Sequence, residues 1–315
     1  MQEQCSRAIM MVRPEGFRFD EQTAVNNNFQ QNVQLANATE KACAEFDGLV
    51  LKLQSHGIEV HVMSGEKTNR LLDAVFPNNW ISFHQDGRIV LYPMFAPIRR
   101  AERDEELIHK LRRDASFVFH EIMDYSGAED LDLFLEGTGS MVLDRKHKIA
   151  YMCRSKRSSE ALLNDFCEDF NYKAIAFNAS LENAKGEREA IYHTNVLFAL
   201  GEKFAVLCSE LFTDHNELSE LKKSLHKAAK EIIEITTTQL LNFCGNIIEL
   251  QIREDEEKFT EYARRIENSM QVEQLLSVLY RVLVRVEKTQ GMLTVFNKLD
   301  EGAILSDQWE HMLRV

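Results

Sequence analysis

One stretch of the sequence contains a complete structural unit, residues 139–177: GSMVLDRKHKIAYMCRSKRSSEALLNDFCEDFNYKAIAF. Its first half has two apolar segments, Gly139–Leu143 and Lys148–Cys153, on either side of a polar turn, which predicts a β-hairpin. Its second half has apolar residues at helical spacing over Ser158–Phe170, followed by a short apolar run, Lys173–Phe177. The unit is therefore predicted to be a hairpin, a helix and a strand.

The same order of elements recurs along the chain. Asp86-Gly87 is a strong hairpin signal, and it lies between the strand-like segments Trp80–His84 and Arg88–Tyr92. Repetition at roughly 50–60 residues indicates an array of equivalent modules rather than two unrelated domains. The other predicted elements are the strands Ala8–Arg13, Ile58–Met63, Ser116–Met123, Thr194–Ala199, Phe204–Leu207 and Glu231–Thr236, and the helices Lys41–Gly57, Arg100–Arg113 and Asn216–Ala229.

The repeated units predict a single α/β domain over residues 1–315. Modules of this kind leave only protected sheet edges when they close into a ring, as they do in propellers. We therefore expect a five-module α/β propeller. The modules cover about residues 6–65, 66–125, 126–180, 181–238 and 239–315.

The fifth module departs from the pattern. Asn246–Gln251 predicts its first strand, but the charge run Arg253–Lys258 stands where the second strand is due. Glu256–Arg285 has mostly helical character, with an apolar stripe that includes Val282 and Leu283, and no closing strand is evident. We expect the charge run to be a solvated helix face and the stripe to pack into the core, with a partner-binding helix as the alternative.

The composition argues against several classes of function. The 315 residues include 50 acidic and 37 basic side chains, a net charge of −13, which disfavours nucleic acid and anionic membranes as partners. No apolar run approaches the roughly 18 residues that span a bilayer, and the start lacks the features of a signal peptide. Six scattered cysteines without a CxxC pair favour free thiols in a reducing, cytoplasmic compartment over disulfides or zinc. We expect no metal and no cofactor.

A polar cluster precedes the hairpin in each of three modules. The clusters are Pro77–Trp80, Leu135–Ser140 and Tyr192–Asn195. Equivalent positions in a closed ring converge on one axis, which predicts an acid/base and hydrogen-bonding site. Each residue alone also has a structural interpretation, such as a turn cap for the asparagine or a packed histidine at a strand start. The predicted site residues are Asn79, Glu136, His193 and Asn195.

Five blocks of the sequence resemble a known superfamily. They are MVRPEGFRFDEQTAVNNNFQ (11–30), FPNNWISFHQDG (76–87), VLYPMFAPIRRAER (90–103), FLEGTGSMVLDR (134–145) and IYHTNV (191–196). In them the chain resembles the amidinotransferase-related, guanidine-modifying superfamily, the penteins, and within it the citrulline-utilisation hydrolases most. The resemblance covers about residues 6–250.

The resemblance implies a five-bladed α/β propeller that hydrolyses a C–N bond in a linear amidine or ureido amino acid, such as a citrulline or arginine derivative. A cysteine thiolate attacks the central carbon, and water then hydrolyses the covalent adduct. His193 matches the general acid/base, and Glu136 matches the carboxylate that holds the substrate nitrogens. The implied binding residues are Asn79 for the substrate nitrogens, Asn195, and Arg157 for the α-carboxylate, with help from Arg99 or Arg100.

Two departures from the superfamily pattern bear on function. Arginine deiminases carry aspartate where this chain has Asn79 and Asn195. A buried guanidinium needs carboxylate partners, whereas a neutral ureido group needs only the donors and acceptors of an amide. The substitutions therefore predict a pocket that prefers a ureido substrate such as citrulline over arginine.

The second departure concerns the nucleophile. The superfamily places it in a glycine-rich segment near the C-terminus, but no cysteine follows Cys244. Cys244 is a weak candidate for a relocated nucleophile, and a packed thiol is the alternative. Three explanations stay open: a binding or regulatory relative without turnover, a gene altered or shifted in frame after about residue 250, or a tail that supplies another nucleophile. The oligomeric state is not predicted.

Overall fold

The strands of this protein form small sheets of two or three strands, and helices connect several of them. In the computed structural model the described residues are 3–18, 37–65, 68–114, 119–183, 186–251 and, as backbone only, 281–285. The fold of these residues is mixed α/β. No helix among them is long and apolar enough to cross a bilayer.

The first module is a β-α-β unit, as predicted. Strand β1 (Ala8–Val12) pairs in parallel with β2 (Glu59–Met63), and helix α1 (Ala38–Ser55) connects them. The apolar residues of α1 recur every three or four positions, so the helix has one buried face. That face consists of Ala42, Cys43, Phe46, Leu49, Val50 and Leu53.

The second module confirms the predicted hairpin. Strands β3 (Ile81–Phe83) and β4 (Arg88–Leu91) are antiparallel, and Gly87 takes the left-handed conformation that this turn requires, with φ of 80°. Helix α2 (Glu105–Asp114) then leads to β5 (Glu121–Asp124), which is parallel to β4. The helix begins later than predicted because 3-10 turns occupy Pro97–Glu102.

The third and fourth modules repeat this unit. A short helix, α3 (Gly137–Ser140), leads into β6 (Met141–Asp144), β7 (Ile149–Cys153), helix α4 (Glu160–Phe170) and β8 (Lys173–Phe177), and the sheet order is β6-β7-β8. A hairpin that was not predicted follows, with strands β9 (Ser180–Glu182) and β10 (Arg188–Ala190). The fourth sheet has the order β11-β12-β13 and consists of β11 (Phe198–Leu200), β12 (Phe204–Leu207), helix α5 (His215–Lys227) and β13 (Glu231–Glu234).

The first strands of these two modules start later than predicted. Gly139 and Ser140 belong to α3, and Thr194–Val196 forms a 3-10 turn. The backbone N–H groups of Gly139 and Ser140 both bond to the Glu136 carbonyl, which turns the chain before the strand begins. The polar clusters found in the sequence are therefore turns, not strand ends.

The fifth module corrects one expectation. After α6 (Thr237–Leu241), strand β14 (Ile247–Gln251) pairs in parallel with β15 (Arg281–Arg285), so a second strand exists where helix was predicted. The segment RVLVR has valine, leucine and valine between two arginines, and valine favours strands. Its backbone pairs with the edge of β14. The charge run Arg253–Lys258 and the rest of the predicted helix lie outside the described residues.

Residues 3–6 join the hairpin turns of several modules. The Gln4 side chain donates to the Leu143 carbonyl at 3.0 Å and accepts from the Arg145 N–H at 2.9 Å. The Cys5 thiol donates to the buried Glu249 carboxylate at 3.1 Å, and Ser6 forms a bridge to Leu250. We call this side of the molecule the turn end, since the polar clusters lie at the opposite ends of the same hairpins.

Candidate active site

The three polar clusters meet at one place. Helix α3 contacts both the turn Pro77–Asn79 and the turn Thr194–Val196. Two glycines allow this approach. A Cβ on Gly137 would lie 2.3 Å from the Asn78 carbonyl oxygen, and one on Gly139 would lie 2.4 Å from Asn79 Nδ2. Any side chain at these positions would force the segments apart, which explains the Gly-Thr-Gly sequence.

Glu136 is the fully buried centre of the cluster. Its Oε2 lies 2.6 Å from His193 Nε2 and 3.4 Å from an Arg157 guanidinium nitrogen, while Oε1 accepts the Phe95 N–H at 3.0 Å. Burial alone would raise the pKa of Glu136, but the Arg157 charge and the His193 hydrogen bond outweigh it and lower the pKa to about 2. The carboxylate is therefore ionised at neutral pH.

His193 is almost completely buried beside this carboxylate. Burial lowers the pKa of His193, although the Glu136 hydrogen bond opposes that shift. A neutral imidazole carries one N–H, and an ionised carboxylate only accepts, so the proton is on Nε2 and points at Glu136. Nδ1 is then the basic nitrogen, and it lies 3.0 Å from the position that a Cβ on Gly139 would take.

A buried frame of hydrogen bonds holds the histidine segment in place. The Thr194 hydroxyl donates to the Ser140 carbonyl and accepts the Cys153 N–H at 2.7 Å. The Ser140 hydroxyl donates to the Arg157 carbonyl at 2.6 Å and accepts the Glu136 N–H at 2.9 Å. Ser140 and Thr194 lie within the polar clusters Leu135–Ser140 and Tyr192–Asn195 but were not among the predicted site residues. Their place in those clusters was the available signal.

Asn79 lies on the other side of Gly139 and is 4% exposed. Its Oδ1 accepts a hydrogen bond of 2.8 Å from the Arg99 guanidinium, which is itself held by both carboxylate oxygens of Glu102, at 2.7 and 2.8 Å. Among the described residues, Arg100 makes no hydrogen bond to Asn79. Its guanidinium lies 3.3 Å from Glu129, and a third of its side chain is exposed.

The remaining predicted residues surround this centre at different depths. Arg157 is 2% exposed and stacks against the Tyr192 ring, with 5.0 Å from its guanidinium carbon to the ring centroid. Asn195 lies half-buried in the turn Thr194–Val196. Cys244 is 7% exposed and packs in the core that β11 and β12 share with helix α5. It precedes Gly245, whose Cβ would lie 2.2 Å from the Val196 carbonyl oxygen.

All six cysteines of the sequence lie within the described residues, and all are buried and free of disulfides. Burial raises the pKa of the thiols of Cys43, Cys153, Cys167 and Cys208. None of these four is an activated thiolate. In the described part of the chain, no group of three or more His, Cys, Asp or Glu side chains is arranged to hold a metal ion.

Solved structures with this fold come from enzymes of guanidino compounds. The substrate-bound N-terminal domain of ArgZ, a cyanobacterial arginine dihydrolase, superposes with a TM-score of 0.58 and 15% identity over 81% of this chain and 88% of that chain. An AgrE variant in complex with L-arginine gives a TM-score of 0.58 and 17% identity over 88% of this chain and 37% of that chain. A dimethylarginine dimethylaminohydrolase adduct with S-methyl-L-thiocitrulline gives a TM-score of 0.50 and 11% identity over 90% of this chain and 92% of that chain. These likenesses, all of them under 25% identical, establish the fold alone.

The family follows from the sequence itself. The model of the family described as N,N dimethylarginine dimethylhydrolase, eukaryotic, matches residues 13–289, which is most of the chain. The protein belongs to this family. No curated protein sequence matches the chain. The predicted superfamily is therefore confirmed, while the predicted citrulline-utilisation branch stays a prediction.

Proposed function

We propose that this protein hydrolyses a C–N bond in a linear amidine or ureido amino acid, a citrulline or arginine derivative. The observation that carries the proposal is the buried contact between Glu136 and His193, at 2.6 Å, beside Arg157. A carboxylate held ionised next to a neutral imidazole is an acid/base pair, and two separate modules build it. Membership of a family of dimethylarginine hydrolases supports the same chemistry.

In the proposed reaction, His193 carries one proton through two steps. Nδ1 takes the proton of a cysteine thiol, and the thiolate attacks the central carbon of the substrate. The C–N bond breaks when the imidazolium returns that proton to the leaving amine. His193 then deprotonates a water molecule, and the resulting hydroxide attacks the same carbon of the covalent adduct. The C–S bond breaks, and the departing cysteine sulfur takes the proton back from His193. Throughout, Glu136 stabilises the imidazolium through Nε2.

The other predicted residues are proposed to bind the substrate. Arg157 and Arg100 supply positive charge for an α-carboxylate, and Asn79 and Asn195 hydrogen-bond the reacting group. Both asparagines are neutral, so we propose a ureido substrate in preference to arginine. The sheets of the five modules, without the additional β9–β10 hairpin, are proposed to form a five-bladed ring around this site. The contacts of β11 with β6 and β14, and the joining of hairpin turns by residues 3–6, support that arrangement.

A second function is favoured by a specific observation. Every cysteine is buried, and burial raises the pKa of four of the six thiols, so none of those four is an activated nucleophile. Cys244 is buried as well, although the neighbouring Gly245 packs closely against the turn Thr194–Val196, which follows His193. The alternative is therefore a binding or regulatory relative that recognises the same ligand class without turnover.

One set of assays separates these functions. We expect the full chain to release ammonia from citrulline, and His193→Ala to abolish this release. Loss of turnover in Cys244→Ala with unchanged melting temperature would identify the nucleophile. Thermal stabilisation by citrulline without product would establish the binding protein instead. Neither stabilisation nor product with citrulline, arginine or dimethylarginine would contradict both proposals.

A further inference from the structure

The Asn79 side chain is held in one orientation by a residue behind it. Arginine has only N–H donors, so the Asn79 atom that faces Arg99 at 2.8 Å is the carbonyl oxygen and not the amide nitrogen. The choice between oxygen and nitrogen, which asparagine geometry alone leaves open, is therefore fixed by chemistry. The amide N–H2 group must point the other way.

Arg99 cannot leave this position to meet a ligand. Arg99 is 3% exposed, and its guanidinium is bound at both oxygens of Glu102, which is 2% exposed. It also donates to the carbonyls of Asp73 and Phe76, at 3.4 and 3.3 Å. Removing a buried guanidinium from a two-point carboxylate contact leaves two unpaired charges, which is costly. Arg99 and Glu102 therefore form a rigid support behind Asn79.

The amide nitrogen of Asn79, Nδ2, lies on the side of His193. Asn79 Nδ2 and His193 Nδ1 both lie around the point where a Gly139 Cβ would be, at 2.4 and 3.0 Å. Among the described residues, neither atom has a hydrogen-bond partner. Asn79 Nδ2 is a donor and His193 Nδ1 is an acceptor. Gly139, which has no side chain, therefore lies next to a fixed donor and a fixed acceptor.

We propose that Arg99 is a positioning residue that sets substrate specificity, because it makes Asn79 present only N–H donors to the reacting group. The inference rests on the proposed function and names its substrate class. A ureido group offers a carbonyl oxygen to Asn79 and an N–H to His193. A guanidinium has N–H donors on its whole outer edge, so one of them would meet the Asn79 N–H2 group. The site accordingly selects neutral ureido compounds.

The direct test compares citrulline and arginine affinities by calorimetry. The double variant Arg99→Met/Glu102→Leu removes both charges together, which buried pairs tolerate far better than the loss of one. We expect citrulline affinity to fall about tenfold, the size of one well-aligned hydrogen bond, and the preference over arginine to shrink equally. Arg99→Lys has donors only and should keep the preference. Asn79→Asp presents an acceptor and should reverse it in favour of arginine.

The matched control is Arg88→Met, which breaks another arginine–carboxylate pair at the far end of the same hairpin, where two Arg88 N–H groups donate to Asp86 Oδ2. It should leave both affinities unchanged within twofold. An unchanged preference in the double variant would overturn the inference, as would a preference for arginine in the wild type. Should no ligand bind at all, the proposed function fails. The amide protons of Asn79 still test the orientation, because their nuclear Overhauser contacts to Gly139 should be present in the wild type and absent in the double variant.

Discussion

The molecule contains two buried carboxylates that each hold a histidine, one at either end of the hairpins. At the turn end, the ring of His147 lies 3.0 Å from Asp144, three residues earlier in the same turn, and its side chain is 37% exposed. At the other end, His193 lies 2.6 Å from Glu136, a residue of another module, and is 7% exposed. Both carboxylates are fully buried.

The difference lies in how the remaining polar groups are used. Asp144 also accepts the His147 N–H at 2.9 Å, and the buried Lys230 ammonium nearby donates to the carbonyls of Gly201 and Glu202. These contacts give the buried Asp144 carboxylate and the Lys230 ammonium hydrogen-bond partners within the turn end. Around Glu136, the histidine and Asn79 each keep an atom without a partner among the described residues. A buried carboxylate that holds a histidine therefore does not by itself mark a functional site. The candidate site differs in that Asn79 Nδ2 and His193 Nδ1 both lie near Gly139 without a partner among the described residues.

The largest difference should appear when the two histidines are removed. We expect His193→Ala to lower hydrolysis of the ureido substrate by about 10²–10⁴-fold, the usual contribution of a general acid/base. His147→Ala should change the rate less than twofold, because that ring faces solvent at the turn end. Both rates are measured as ammonia release per folded molecule. Equal losses in the two variants would contradict the assignment of the site to one end.

The second prediction concerns acid stability. The pKa of Glu136 is lowered from 4.5 to about 2 in the folded protein, so its ionised form stabilises the fold fully above the unfolded-state pKa. That stabilisation is lost as the pH falls from about 4.5 towards 2, and by linkage it amounts to roughly 3 kcal/mol. Glu136→Gln should be less stable at pH 7, because it removes the ion pair between Arg157 and the Glu136 carboxylate, and it should lose less stability on acidification.

Urea unfolding of both proteins between pH 6 and pH 3 measures this difference. The free energies of unfolding of the two proteins should converge as the pH falls, because the unfolded wild type then takes up a proton at Glu136 while the folded wild type keeps this carboxylate largely ionised. Parallel pH profiles would show that Arg157 and His193 do not lower the pKa of this carboxyl.

Much of this architecture could be predicted from the sequence because its signals are local. The Asp86-Gly87 turn and the alternating apolar residues define hairpins without reference to distant parts of the chain. Strand β15 was missed because only its pairing with β14, far away in sequence, separates it from helix. The strand starts in the third and fourth modules were misplaced because α3 and the turn Thr194–Val196 form against each other.

The residues of the candidate site also divide into those that local sequence signals predict and those that depend on contacts between distant parts of the chain. Glu136, His193 and Asn79 could be predicted, since each stands at the same place in its module. The contact between Arg99 and Asn79 could not, because an arginine beside a proline turn gives no sign of which buried acceptor it will reach. The sequence suggested a substrate carboxylate for Arg99, and the structure pairs its guanidinium with Glu102.

The smallest expected effect comes from adding one methyl group at each end of the hairpins, by Gly139→Ala in the candidate site and by Gly201→Ala at the turn end. A Cβ on Gly139 would lie 2.4 Å from Asn79 Nδ2, and one on Gly201 would lie 2.4 Å from the Phe204 ring. Both alanine variants overpack a buried contact and should lose about 1–3 kcal/mol of unfolding free energy. Gly127→Ala, which meets nothing within 4 Å, is the baseline.

The two variants should differ in ligand binding although their stabilities are similar. In Gly139→Ala the methyl group forces Asn79 Nδ2 and His193 Nδ1 out of their positions, so citrulline should no longer raise the melting temperature. Gly201→Ala leaves both atoms in place, so citrulline should stabilise it as much as the wild type. Loss of stabilisation in Gly201→Ala as well would mean that the turn end takes part in binding, and the division between the two ends would then be wrong.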